Sequence, residues 1–147
     1  MWGAGDFAVA NEILAEDLLD HNRVPEQPMS RAGDLWAARQ VRTAFPDLHF
    51  TLDVVIADDD HVTGRWTMTG THTGPLGLLG IPPTGRPVTM SGQEIFRVQN
   101  GMFTEVWHLE DIPALLSQLR LGPPPGFVLR LSARRSARQY RRSRTKM

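Results

Sequence analysis

Residues 49–74 read HFTLDVVIADDDHVTGRWTMTGTHTG. From His49 the side chains alternate with a period of two, placing Phe50, Leu52, Val54 and Ile56 on one face and His49, Thr51, Asp53 and Val55 on the other. That is the pattern of a half-buried strand. Asp58-Asp59-Asp60 supplies a hairpin turn, and His61 to Thr73 continues as a long threonine-rich strand with Val62, Trp66, Met68 and His72 sharing a face. Three consecutive aspartates also invite a cation. A hard cation, however, needs about six oxygens held by a closing loop, and no ligand-spaced Glu follows, so the tract reads as a solvated turn.

Downstream, Gly74 to Pro87 holds four glycines and four prolines and predicts an irregular connection. Its Leu76, Leu78, Leu79 and Ile81 are too apolar for an ordinary exposed loop; a lid over a pocket, a clasp at a subunit contact and a seal over the core edge all fit. Val88 to Val98 and Met102 to Leu109 form a hairpin around Asn100-Gly101, a dipeptide that accepts the positive φ of a tight turn. A helix follows over Ile112 to Leu121, with Pro113 tolerated in its first turn. Upstream, Asp6 caps a helix carrying Phe7, Ala10, Ile13 and Leu14 that stops near Ala15 or Glu16. Leu18 to His21 reads as a short strand, and a second helix spans Ala32 to Ala44 until Phe45-Pro46 ends it. The whole predicts an α+β domain built on a long, meandering antiparallel sheet.

Gly122-Pro123-Pro124-Pro125-Gly126 breaks the chain, which divides it into a domain over 1–121 and a Pro/Gly linker with a basic extension over 122–147. The formal net charge of zero averages two opposites. All 16 acidic residues lie at or before Asp111, whereas Arg130, Arg134, Arg135, Arg138, Arg141, Arg142, Arg144 and Lys146 crowd the end. Such a tail can meet nucleic acid or another anionic surface, but it reads first as a solvated extension, and nucleic acid is not the expected partner.

Several chemistries are excluded. With no cysteine there is no disulfide, thiolate nucleophile or thiolate metal site. His49, His61, His72 and His108 are scattered without an i, i+4 pair, so no metal is expected. There is no glycine-rich phosphate turn entering a helix and no Gly-x-Ser-x-Gly elbow. No apolar run approaches the ~18 residues of a membrane span, and the start lacks a basic segment followed by an apolar one, so a cytoplasmic protein without membrane partners is expected.

Several segments together resemble the SnoaL-like polyketide (ester) cyclase family of the nuclear transport factor 2-like superfamily. They are Trp2 to Asp6, Asp20-His21-Asn22, Ala44 to Leu48, Arg65-Trp66-Thr67, the Gly70 to Arg86 loop, Ile95-Phe96-Arg97 and Trp107 to Asp111. The resemblance covers roughly residues 2 to 120 and implies a cone: a curved sheet closed at one end by helices, with a pocket between them, usually as a homodimer. It also implies catalysis without metal or organic cofactor, an aspartate serving as general acid and base in an aldol-type ring closure. One departure is evident. Family members carry a long amphipathic helix before the Trp-Asn-Ala-Gly-Asp-like turn, yet here Trp2 already stands in that turn. Either Phe127 to Tyr140 docks in the vacated place or the native chain starts upstream of Met1.

Asp111 matches the closing acid of the family's Trp-x-x-x-Asp pattern, and strand alternation places it with Phe103, Glu105, Trp107 and Leu109, where apolar neighbours would raise its pKa. It reads equally as the N-cap of the helix beginning at Ile112. Glu94 and Glu105 are candidates for a carboxylate pair across the hairpin, the alternative being surface pairing with Arg97 or Arg65. His21 and His72 are pocket candidates able to orient a substrate or shuttle a proton, and Trp36, Trp66 and Trp107 read as core or pocket lining. The expected function is thus cofactor-independent acid–base chemistry, an aldol-type ring closure or a related isomerisation or hydration, on a polyketide-like or other apolar small molecule. The alternative is a binding or assembly module that keeps the cone without chemistry, its basic tail meeting an anionic partner.

Overall fold

The structure, a computed structural model, describes Trp2 and residues 5–121. The segment 122–147, including the expected docking of Phe127 to Tyr140, lies outside the described residues. The elements run in the order α1 (Ala10–Ile13), β1 (Leu14–Asp20), α2 (Arg31–Ala44), β2 (His49–Ala57), β3 (His61–Thr71), a 3-10 turn (Gly77–Leu79), β4 (Pro87–Gln99), β5 (Met102–Glu110) and α3 (Ile112–Gln118). The curved sheet is not closed, and its strand order is β1-β5-β4-β3-β2.

β2 to β5 form the expected antiparallel meander, and β1 joins its edge in parallel to β5, which makes the sheet mixed. The first helix is shorter than its apolar spacing predicts. It ends at Ile13 because Leu14 enters β1 and pairs with Phe103, so tertiary pairing overrides local helical periodicity. The Asp58 turn is held from within, Asp58 Oδ1 accepting the backbone N–H groups of Asp60 at 3.2 Å and His61 at 2.8 Å. At the other hairpin Asn100 and Gly101 both take positive φ, 52° and 77°, as a two-residue turn between twisted strands demands.

Register decides what faces inward. Leu52, Trp66, Gly92 and Glu110 form one cross-strand row; Val55, Gly64, Glu94 and His108 form the next; Ala57, Val62, Phe96 and Val106 form a third. Partners in a row share a face. On this concave side α2 lies over the sheet, and Phe45, Met68, Val88, Leu115 and Leu119 pack as one core cluster. A smaller cluster joins Ala10, Leu14, Leu18 and Val106 under α1. The glycine-rich connection closes the end of α2, since the N–H groups of Thr73 and Gly74 both donate to Ala44 O at 3.1 Å. Leu76 is buried and bridges to Ile81, so the loop packs Leu76 inward, with Leu78 and Ile81 half-buried and Leu79 exposed.

Gly92 is the tightest point of the concave face. A Cβ there would lie 2.3 Å from Trp66 Cζ2, so the indole lies across the position a side chain would occupy. Gly92→Ala should therefore push Trp66 out of place and destabilise the fold by about 1–3 kcal/mol, the usual range for overpacking. Urea denaturation followed by tryptophan fluorescence reads both effects, and an unchanged midpoint would contradict the packing described.

Candidate active site

Between α2 and the concave face lies a cavity of about 510 Å³. Phe45, Phe50, Met68, Leu78 and Met90 make much of its wall, and Leu76 and Leu79 of the glycine-rich loop complete it, so that loop lines a pocket. The polar groups converge from four elements: Asp20 at the end of β1, Asp34 in the first turn of α2, Glu94 on β4, and His108 and Glu110 on β5. The cross-strand rows explain the convergence on the sheet side. On the helix side Asp34, Ala37 and Val41 recur at helical spacing along the face that lines the cavity, which carries a carboxyl group onto an otherwise apolar stripe.

His108 is the centre of the hydrogen-bonded chain. Its Nε2 lies 3.0 Å from Asp20 Oδ1 and its Nδ1 2.6 Å from Glu110 Oε1. A ring with a carboxylate at each nitrogen keeps both protons. Burial opposes the charge, yet the hydrogen bonds and charges of Asp20 and Glu110 outweigh it and push His108 up to about 10. Asp20 in turn accepts Gln27 Nε2–H at 2.8 Å on its other oxygen and the Asn22 backbone N–H at 2.8 Å. Against the burial penalty, these donors and His108 hold its carboxyl below the ordinary value. Glu94 accepts Trp66 Nε1–H at 3.1 Å; burial nevertheless raises its pKa, beyond what the His108 charge and that hydrogen bond offset. Asp34 makes no side-chain hydrogen bond among the described residues. Burial first, and then the charges of Glu94 and Asp20, push it up to about 7.

Among the residues singled out from sequence, Trp66 and Glu94 line the cavity. Glu105 does not pair with Glu94. The register sets Glu94 opposite His108 and Glu105 opposite Arg97, so the two glutamates stand on opposite faces. On the outer face Glu105 Oε1 lies 3.2 Å from Arg97 Nε, and its Oε2 lies 2.8 Å from His21 Nε2. His21 stacks on Trp107 at 4.5 Å between ring centroids with 5° between planes, so both belong to that outer cluster. Trp36 is half-buried on α2 and does not line the cavity. His72 is fully buried against Phe45, its Nδ1 3.1 Å from Thr84 Oγ1, and desolvation lowers its pKa. Asp111 is exposed, and its Oδ1 accepts the Ala114 N–H at 3.0 Å as the N-cap of α3, outside the cavity lining. Asp20, Asp34, His108 and Glu110 emerge from the structure. Three of them had a readable signal: Asp34 interrupts an apolar helical stripe, and His108 and Glu110 share strand parity with buried Val106.

Among the described residues, Asp58, Asp60 and His61 form the single group whose ligand atoms come within 4.8 Å of one another. It sits on the exposed β2–β3 turn, away from the cavity, with Asp58 already occupied by backbone donors.

Residues 1–119 match the family described as SnoaL-like polyketide cyclase. Solved structures resemble the chain closely in fold. TsrD from Streptomyces laurentii is 28% identical, with a TM-score of 0.75 over 82% of this chain and 87% of its own. IdmH from Streptomyces antibioticus, a candidate polyketide cyclase, is 30% identical with a TM-score of 0.68 over 81% and 90%. AclR from Streptomyces galilaeus, a candidate hydroxylase, is 27% identical with a TM-score of 0.73 over 97% and 88%. No curated protein matches the chain.

The shifted groups set a pH dependence of stability. Asp34, raised in the fold from 3.8 to about 7, supports the folded state fully below 3.8 and loses that contribution as pH climbs through about 7. His108 acts in the same direction over the higher window from 6.5 to about 10. Asp34→Asn should remove the fall across the lower window and leave the protein more stable than wild type at about pH 8. Urea midpoints measured against pH check this; a variant that tracks the wild-type curve throughout would show that Asp34 is not desolvated.

Proposed function

The chain belongs to the SnoaL-like polyketide cyclase family, and from that premise we propose that it performs cofactor-independent acid–base chemistry on an apolar, polyketide-like small molecule, with Asp34 moving the proton. The observation that carries the reading is a carboxyl group that has no hydrogen-bond partner among the described residues, on the wall of an apolar cavity, raised to about 7. A group with that value is populated in both protonation states near neutrality, which suits it to take a proton and return it. As carboxylate, Asp34 would remove a proton from a carbon next to a carbonyl. The resulting enol carbon would attack a second carbonyl of the same molecule, and the new alkoxide would recover the proton from the Asp34 carboxyl. Glu94, with one oxygen on Trp66 and burial favouring its neutral form, would donate to the carbonyl oxygen that gains charge during enolisation. In this reading the proton carrier is Asp34 and not Asp111, which serves α3.

We also infer a homodimer through the outer sheet face. Val54, Ile56, Ile95 and Leu109 are exposed there, in the adjacent rows Val54-Arg65-Gln93-Leu109 and Ile56-Thr63-Ile95-Trp107. Scattered exposed hydrophobes are ordinary, whereas neighbouring rows of them mark an interaction surface.

Hydrogen–deuterium exchange at the carbons beside the carbonyl of 2-tetralone, followed by NMR, tests the chemistry without the native substrate. Asp34→Asn should cut the catalysed exchange by about 10²–10⁴-fold with the fold intact, and the wild-type rate should rise with pH through about 7. Asp111→Ala should keep the exchange while losing about 1 kcal/mol of stability with its cap. The reverse pattern would return the role to Asp111. For the dimer, Ile95→Glu should halve the mass seen by light scattering, and a wild-type monomer would exclude the inferred pairing.

A further inference from the structure

The groups at the polar end of the cavity are unequal in what they can offer a ligand. Apart from the Asn22 amide N–H groups and the second N–H of Gln27, its donors are spent: Trp66 Nε1–H on Glu94, one Gln27 Nε2–H on Asp20, and both ring N–H groups of His108 on Asp20 and Glu110. Its acceptors are not. Both oxygens of Asp34, Oε2 of Glu94 and Oε2 of Glu110 have no protein donor among the described residues. The charges lean the same way. Four carboxyl groups face one imidazolium, and neither Lys nor Arg lines the cavity among the described residues. A ligand whose buried end is a carboxylate or phosphate would find few free donors beyond the Asn22 and Gln27 amides and a carboxyl group still protonated, and would meet like charge in a medium of low dielectric. A ligand whose buried end is a protonated amine would satisfy vacant acceptors and offset the unbalanced charge.

We propose that the cavity is selective for an apolar molecule carrying a basic nitrogen, the ammonium seated among Asp34, Glu94 and Glu110 with the hydrocarbon body against the Phe50, Met68 and Met90 wall. This rests on the reading above in taking the cavity as the ligand site, and it does not require that Asp34 catalyse anything. The charged groups around the seat are Asp20 from β1, Asp34 from α2, Glu94 from β4 and His108 and Glu110 from β5. A cation arriving there draws the proton off the Asp34 carboxyl, which burial raises to about 7, so binding releases protons near neutral pH.

Three probes of one shape separate the possibilities: 2-naphthylmethylamine, 2-naphthylmethanol and 2-naphthoate, titrated calorimetrically into the full chain. The amine should bind about tenfold more tightly than the alcohol, the margin of a charge-assisted over a neutral hydrogen bond, and the naphthoate more weakly than both. Amine affinity should climb between about pH 5.5 and pH 8, with proton release visible as a buffer-dependent heat. In the Asp34→Asn/Glu94→Gln variant, with folding checked by circular dichroism, the amine-to-alcohol ratio should collapse toward one. Naphthoate binding as well as the amine, a pH-independent amine affinity, or no binding by any probe would overturn the proposal. Because the readout is binding, a protein inert toward 2-tetralone that still ranks the probes this way would sink the catalytic reading alone. One that exchanges 2-tetralone but prefers naphthoate would sink this inference alone.

Discussion

A single positive charge held inside an acidic hollow is the constraint on which the rest of the structure depends. Four carboxyl groups line the cavity, and among its described residues His108 is the one cation that faces them. Its two nitrogens join β1 to β5 through Asp20 and tie the end of β5 to itself through Glu110. The link extends outward: Gln27 fixes Asp20 from the loop before α2, and Asn22 Oδ1 accepts the His108 backbone N–H at 3.0 Å. The connection carrying the chain from β1 toward α2 is therefore anchored to the strand that supplies the imidazolium. Removing one member of such a buried pair leaves the other uncompensated, a loss on the order of 3–5 kcal/mol.

The same balance sets the protonation states. The imidazolium touches Asp20 and helps to hold its carboxyl below the ordinary value. Asp34 and Glu94 lie beyond that direct compensation, and burial raises both. The opposite shifts of Asp20 on one side and Asp34 and Glu94 on the other thus follow from contact with the ring and its donors against burial without it. The Trp66 and Gly92 contact keeps the arrangement open, because the missing side chain at 92 lets the indole lie against β4 while its N–H reaches Glu94.

How legible this was can be judged on particular residues. The Asp58 turn, the Asn100-Gly101 turn and the second helix are local signals, and each stands where its residues put it; the alternation over 49–56 gives the strand but not its faces, because the register shifts between Leu52 and Val54 and turns Val54 and Ile56 away from the side of Phe50 and Leu52. The lengths of α1 and β1 are not local. Leu14 fits a helix by spacing and enters a strand because β5 offers it a partner. The site was harder still. Glu94 and Trp66 share the inner face as strand parity suggests, but the same parity continued from Trp107 points Asp111 at a cavity, against its equal reading as a helix cap. In the structure Val106, His108 and Glu110 take the inner side, and a one-residue slip exchanges the faces completely. The irregular register between Arg97 and Val98 is the kind of feature that makes such parity unreadable from the strand alone.

What the sequence by itself determined is the set of elements and the family, because strand alternation, turn chemistry and helix punctuation act over a few neighbouring residues, and several family-like segments occur in order. What the tertiary structure alone decided is the membership of the site. Asp20, Asp34, Glu94 and His108 come from four elements separated by up to 88 positions in the chain, and no local rule relates their charges. They interact through a shared low-dielectric space that exists only once the sheet has curved and α2 has covered it. Their protonation, unlike the strands that carry them, is a property of that enclosed space.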